Sequence, residues 1–401
     1  MEIEIDRDYL VNTLAQLIRI DSTNPSCTAQ GAGEVRIAQA IAASLADIGL
    51  EAEVHQIEPN RANAVGMLKG SGGGRSLLLT GHCDTVGVAG MANPFSAEIR
   101  NGRMLGRGAQ DMKGSLAACM AAAKALVDAG LSLAGDLIIA AVADEEYQSL
   151  GTKNLIKRIH VDSAIVTEPS DLHIALAHRG IVWLEVETIG RAAHGSRYQE
   201  GIDSILHMGR LLCELDHLEK RLRRRPVHPL VGPPSIHTSR ISGGTEWSTY
   251  PSQCKLQIEQ RTLPGESPDQ IVGEVQEIIN QLTRQNSAFN ATMNVVSIQS
   301  PFEISPNTQI VQALQESTQR VLKEKPTLVG VTFWTDAAIL AEAGIETAII
   351  GPKGGGLHTP EEWVDLQSLV DLALILAQTA MVYCIVNNAA SLNHSLVSSP
   401  S

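Results

Sequence analysis

The pattern of apolar and polar residues divides the chain into short segments of alternating type. Residues 7–20 have the spacing of an amphipathic helix, stopped by Asn24-Pro25. Residues 33–49 predict a second helix, ending near Gly49, and apolar strands follow at 51–56, 63–68 and 76–81. The Asn101-Gly102 dipeptide predicts a hairpin turn. An Ala-rich, proline-free stretch at 113–129 predicts a helix closed by Gly130, and 137–142 a buried strand. Residues 154–159 fit the end of a short helix, and 164–167 another strand. Strands alternating with helices indicate an α/β sheet with helices on its faces.

From residue 174 the pattern changes. Two strands flank Arg179-Gly180, a helix covers 200–223, strands cover 235–242 and 253–261, a helix covers 267–284, and a last strand covers 290–298. This series contains an inserted α+β module. The first pattern then resumes with helix 307–323, strand 327–332, helix 335–343, strand 346–350 and helix 366–386. The fold class is α/β: one discontinuous domain (1–177 and 299–386) interrupted by a module at 178–298, with residues 387–401 expected to be a disordered tail.

Composition narrows the partners. The 401 residues include 31 basic and 44 acidic side chains, a formal charge of −13, which argues against a nucleic-acid or anionic-membrane surface. The N-terminus MEIEIDRDYL lacks the features of a signal peptide. The longest apolar candidate, 366–386, is interrupted by Gln367, Ser368, Asp371, Gln378 and Thr379, so no membrane span is expected and it reads as a surface or partly buried helix. The six cysteines are scattered with no CxxC pair, which suits reduced thiols and a cytoplasmic location.

Candidate chemistry gathers at strand ends. Leu77 to Asp84 is an apolar strand running into His82-Cys83-Asp84; on extended backbone Asp84 can hold one ring nitrogen of His82 while the other faces a metal. A histidine satisfied by local hydrogen bonds is the plainer reading. Gly106 to Gly114 places Asp111 just before a helix, where a carboxylate can also serve as an N-cap. Strand 138–143 ends in Asp144-Glu145-Glu146; such crowded acids suit a dication, with one Glu as ligand and its neighbour handling a proton, or else a solvated turn. Strand 165–167 ends in Glu168-Pro169, and a glycine-rich loop at 351–356 delivers His358. His82, Glu145, Glu146 and Glu168 all lie at the carboxyl ends of strands of one α/β sheet, where ligand crevices form.

These motifs together, GHCDTV, GRGAQDMKGS, DEE, a strand-terminal TEP and a late G-x-x-x-H, resemble the di-zinc amidohydrolase and exopeptidase family. That family includes acetylornithine deacetylase, succinyl-diaminopimelate desuccinylase, glutamate carboxypeptidase and aminoacylase. The likeness runs from IRIDSTNP to the final helix. It implies a zinc-hydrolase catalytic domain with an inserted ferredoxin-like lid and dimerisation domain. By this resemblance His82 and Glu168 bind one Zn2+, Glu146 and His358 bind the other, and Asp111 bridges them. Glu145 is the general base and Asp84 orients His82. Co2+ or Mn2+ could substitute for zinc. Cys83 is expected to point away from the metals as a small buried hydrophobe.

In the inserted module, Arg191 to Ser196 resembles the family's histidine-bearing lid segment, which implies that His194 stabilises an oxyanion, often across a homodimer; an ordinary surface histidine is the alternative. Arg261 matches an arginine that binds a substrate carboxylate, against the alternative of a strand-end salt bridge. Ser248 or Thr249 stands where many relatives carry Asn, and Asp336 has no role to assign. Glu168 departs from the histidine favoured in the carbamoyl-amino-acid branch. The resemblance implies hydrolysis of the amide of an N-acyl amino acid, with a small-peptide exopeptidase or dipeptidase as the rival and a catalytically silent binding protein as a third reading.

Overall fold

The computed structural model describes residues 3–88 and 90–385; the tail expected at 387–401 lies outside them. The chain forms two compact units. The larger holds the chain up to Leu176, Ile304–Val329 and the chain from Thr335; the smaller is Ala177–Glu303 with Gly330–Trp334.

In the larger unit, helix Arg7–Arg19 starts where Asp6 accepts the Tyr9 N–H at 2.9 Å. Leu10, Leu14, Leu17 and Ile18 share its buried face, as the periodicity predicted. The central sheet runs Glu51–Glu58, Arg61–Leu68, Leu137–Val142, Leu77–His82, Ser163–Val166, Glu346–Ile349 and on to the strand beginning at Ile174. The strands at Leu137, Leu77, Ser163 and Glu346 are mutually parallel. Their sequences LLLTGH and LIIAAV are buried throughout, as expected of strands covered on both faces. Parallel pairing brings four carboxyl ends to one edge of the sheet, and the chemistry-bearing segments follow those ends.

Helix Leu366–Tyr383 is long and apolar enough to cross a membrane by length and composition, more so than the sequence suggested. Yet 61% of it is buried, against helices Gly114–Asp128 and Gln309–Leu322. A small sheet of Gly354–Gly355, Trp363–Asp365, Arg103–Leu105 and Glu98–Arg100 was only half anticipated. Its hairpin turns at Asn101-Gly102, both with positive φ (51° and 76°), as the dipeptide predicted. The other two strands were not anticipated, being two and three residues long, one in the glycine-rich loop and one just before the final helix. None of the six cysteines is disulfide-bonded.

The smaller unit follows the order β-α-β-β-α-β from Gly180 to Gln299. Its strands lie in the order second, third, first, fourth, all antiparallel, which is the ferredoxin-like arrangement. Its own core joins Val182, Leu184 and Val186 of the sheet to Met208, Leu211 and Leu215 of helix Ser204–Leu222, and to Ile271, Val275 and Ile278 of helix Pro268–Gln285.

Candidate metal centre

Strand Leu77–His82 ends on His82, whose ring is buried between two partners. Its Nδ1–H donates to the backbone carbonyl of Asp84 at 2.9 Å, leaving Nε2 against Asp111 Oδ1 at 2.9 Å. Asp84 therefore fixes the ring mainly through its main chain; its carboxylate stands 3.6 Å from Nδ1. The expected carboxylate–imidazole bond is displaced because the Asp84 side chain is already engaged. Its oxygens accept from Asn24 Nδ2 (2.8 Å) and from the N–H groups of Glu145 (3.2 Å) and Glu146 (3.3 Å). Cys83 between them is fully buried, as expected.

Asp111 is not a helix cap. The helix begins at Gly114, and Asp111 sits before it in an irregular turn with φ −118° and ψ 90°. Its two carboxylate oxygens face two histidines. Oδ1 meets His82 Nε2, and Oδ2 lies 3.3 Å from His358 Nε2. His358 Nε2 is also 3.2 Å from Glu146 Oε1, while His82 Nε2 lies 3.8 Å from Glu168 Oε1 and 4.0 Å from Glu145 Oε2. Glu145 and Glu146 thus point to different histidines, although both lie in a turn beyond the end of strand Leu137–Val142 and not on the extended backbone that the sequence suggested. Ligand atoms of His82, Glu145 and Glu168 lie mutually within 4.8 Å, as do those of His82, Asp111 and Glu146.

The electrostatics show what the cluster lacks. Burial raises the pKa of Glu145 well above the carboxylate range, helped by the charge of Glu168. Glu168 is raised well above it too, chiefly by burial, and Glu146 is raised by burial and Asp111. Burial opposes ionisation of Asp111 as well, yet its bonds with His358 and His82 prevail and lower its pKa. The same bonds raise His358 to about 10, those with Asp111 first and Glu146 second. In His82, burial is outweighed by Asp111 and neighbouring acids, and its pKa rises well above 6.5. Two imidazoles serving four carboxylates make a donor set short of positive charge. Oxygen and imidazole donors without thiolate fit an open site for divalent cations, so the residues fit the implied metals.

Several residues that build the site carried no assignment in the sequence. Asp144 takes a left-handed conformation (φ 71°) just before the two glutamates, and its Oδ1 accepts from Arg61 Nη2 (2.6 Å) and Asn24 Nδ2 (3.1 Å). Its place at the head of the acidic run was the available signal. Asp336 is buried, accepts from Thr152 Oγ1 at 2.5 Å, and contributes to the upward shift of Glu145. Glu362 bonds the backbone of Asp111 and of its neighbours.

The two other predicted residues lie in the smaller unit. His194 is exposed, its Nδ1 2.8 Å from Ser196 Oγ. Its segment runs beside 248–250, through Gly195 N–H to Ser248 O and Tyr250 N–H to Ala193 O, so two of the motifs read from the sequence meet. Arg261 Nε donates to Glu259 Oε1 at 2.6 Å, the strand-end ion pair that was the alternative reading.

Comparison with known proteins agrees with this geometry. The sequence profile of Peptidase family M20/M25/M40 matches residues 78–382, and the chain belongs to that family of amide-bond hydrolases. It is 30% identical over 376 residues to N-formyl-4-amino-5-aminomethyl-2-methylpyrimidine deformylase of Bacillus subtilis, covering 86% of this chain and 88% of that protein. Acetylornithine deacetylase of Myxococcus xanthus is 29% identical, over 81% of this chain and 84% of its own length. In fold, aminopeptidase PepT of Bacillus cereus superposes with a TM-score of 0.76 at 20% identity, over 94% of this chain and 99% of that one.

Proposed function

We propose that this protein cleaves the amide of an N-acyl amino acid, with two zinc ions held by His82 and Glu168, by Glu146 and His358, and jointly by Asp111. The observation carrying this reading is the position of Asp111, whose two oxygens address the two histidines separately. When bound, such a metal pair supplies Lewis acidity to a carbonyl and lowers the pKa of a water. Glu145 is the base. Burial holds its pKa above the ordinary carboxylate range, which strengthens it as a base that accepts a proton from an attacking water and then gives it to the departing amine nitrogen. Asp84 holds both the His82 ring and the 145–146 backbone, so ligand and base move together. A deformylase and a deacetylase as relatives support a short acyl group on an amine over a peptide.

The test is Glu145→Gln in metal-loaded enzyme, assayed on N-acetyl-ornithine, N-succinyl-diaminopimelate, acyl-glutamates and dipeptides. Turnover should vanish while two metals per chain remain; near-wild-type turnover would remove Glu145 from the mechanism. Faster cleavage of dipeptides than of acyl amino acids by the wild type would favour the peptidase reading. We extend the proposal to a homodimer formed through the smaller unit, where Leu206, Ile241, Trp247 and Val296 expose apolar surface.

A further inference from the structure

Arg107 and Glu362 form an ion pair that the chemistry above does not use. Their side chains are 2% and 1% exposed, and Arg107 Nη1 donates to Glu362 Oε2 at 2.6 Å. Two charges withdrawn from water are tolerated only when their remaining donors and acceptors are also satisfied. Here those bonds all run to the loops of the metal centre. Glu362 Oε1 accepts the N–H of Gln110 at 3.0 Å and of Asp111 itself at 3.1 Å. Oε2 accepts the N–H of Gly108 at 3.0 Å. Arg107 Nη2 donates to the carbonyl of Thr359, next to His358, at 3.2 Å, and Nε donates to the carbonyl of Gly87, three residues beyond Asp84, at 3.1 Å. Gly108 permits the close approach: its φ is 78°, and a Cβ there would lie 2.8 Å from Thr85 Cγ2.

We propose that the Arg107–Glu362 pair is a clamp that sets the backbone of Asp111 and the loop of His358 in mutual register, so that the carboxylate and the imidazole of the second metal position are placed before metal arrives. The inference rests on the ligand reading above. Neither residue has a role on the substrate; both are positioning residues. Glu362 bonds the Asp111 peptide directly and sits four residues from His358, so one carboxylate links two ligand-bearing segments that are far apart in sequence. Of the pair's five bonds beyond the ion pair itself, four run to the peptides around Asp111 and His358, a concentration that stability alone does not require.

The experiment titrates Zn2+ into chelator-stripped full-length protein by calorimetry and records the visible spectrum of the Co2+-loaded form. The variants are Glu362→Gln, Glu362→Asp and Arg107→Met, with Leu45→Ala as a core truncation remote from the clamp. Outer partners of metal ligands typically govern affinity by about 10–100-fold. Glu362→Gln and Arg107→Met should weaken the second zinc by that factor, shift the Co2+ spectrum and lower kcat more than they raise KM. Glu362→Asp, which keeps the charge, should recover part of the affinity, and it remains informative if a harsher variant does not fold. Wild-type affinity and spectrum in the clamp variants, even with a lowered Tm, overturn the proposal. Equal loss of zinc affinity in Leu45→Ala also overturns it, because general destabilisation would then suffice. Failure of the wild type to bind two ions refutes the ligand reading and the clamp with it, whereas tight binding by every variant refutes the clamp alone.

Discussion

Replacing Arg61 by Met should disturb both stability and catalysis. Arg61 is 4% exposed and bonds Glu34 Oε2 at 2.7 Å, Asp144 Oδ1 at 2.6 Å and Ser26 Oγ at 3.1 Å; neither carboxylate has any exposed side-chain surface. Removing one partner of a buried ionic cluster leaves uncompensated charge and costs about 3–5 kcal/mol. At about 2 °C per kcal/mol that is a fall in Tm of roughly 6–10 °C. The deficit should also depend on pH. Burial and the charge of Asp84 push Glu34 up to about 8, against the pull of Arg61, from an ordinary value of 4.5. An acid whose folded pKa is raised is protonated in the native state below that pKa. Its ionisation therefore removes stability as pH climbs from about 4.5 to the folded value. In the wild type this loss levels off above about 8. Without Arg61 the folded pKa rises further, so the loss continues, and the gap between the two proteins should widen from pH 6 to pH 9. Catalysis should suffer as well, because Asp144 shares Asn24 Nδ2 with Asp84 and so links Arg61 to the 145–146 backbone. Urea denaturation of both proteins at pH 6, 7.5 and 9, with Glu34→Gln added to the Met variant, measures each part. The double variant should regain about 1–3 kcal/mol at pH 9, the cost of the buried acceptor left unpaired. A deficit below 1 kcal/mol, or one that shrinks toward pH 9, would refute the reasoning.

Two further outcomes are expected from the smaller unit. His194→Ala should leave Tm unchanged, since the ring is exposed, yet lower kcat by about 10²-fold or more if it donates to the oxyanion; an unchanged kcat removes that role. Light scattering should give twice the 42.9 kDa chain mass, and Trp247→Asp should shift it toward the monomer; a wild-type monomer at tens of micromolar would sink the dimer.

What could be read from the sequence follows from how each signal is written in the chain. His82, Glu145, Glu146 and Glu168 follow short continuous apolar runs that read as buried strands, so those runs located them and the parallel sheet brought their ends together. The elements of the inserted module were visible as a run of strands and helices, whereas its ferredoxin-like character was implied by the family resemblance and its strand order comes from the pairing. The supporting polar residues could not be read this way. Arg61 lies at the start of a strand, and its partners are 27 and 83 residues away in sequence. Glu362 bonds peptides 251 to 254 residues away. No periodicity records such pairings, and a lone charge in a loop defaults to a solvated face. Asp84 shows the limit within a motif: its spacing from His82 suggested a bond from its carboxylate, but the main-chain carbonyl makes that bond, because the carboxylate is held by Asn24 and the 145–146 peptides. Spacing along one strand locates a ligand, whereas its orientation is set by competing hydrogen bonds from other strands, and these exist only once the sheet has formed.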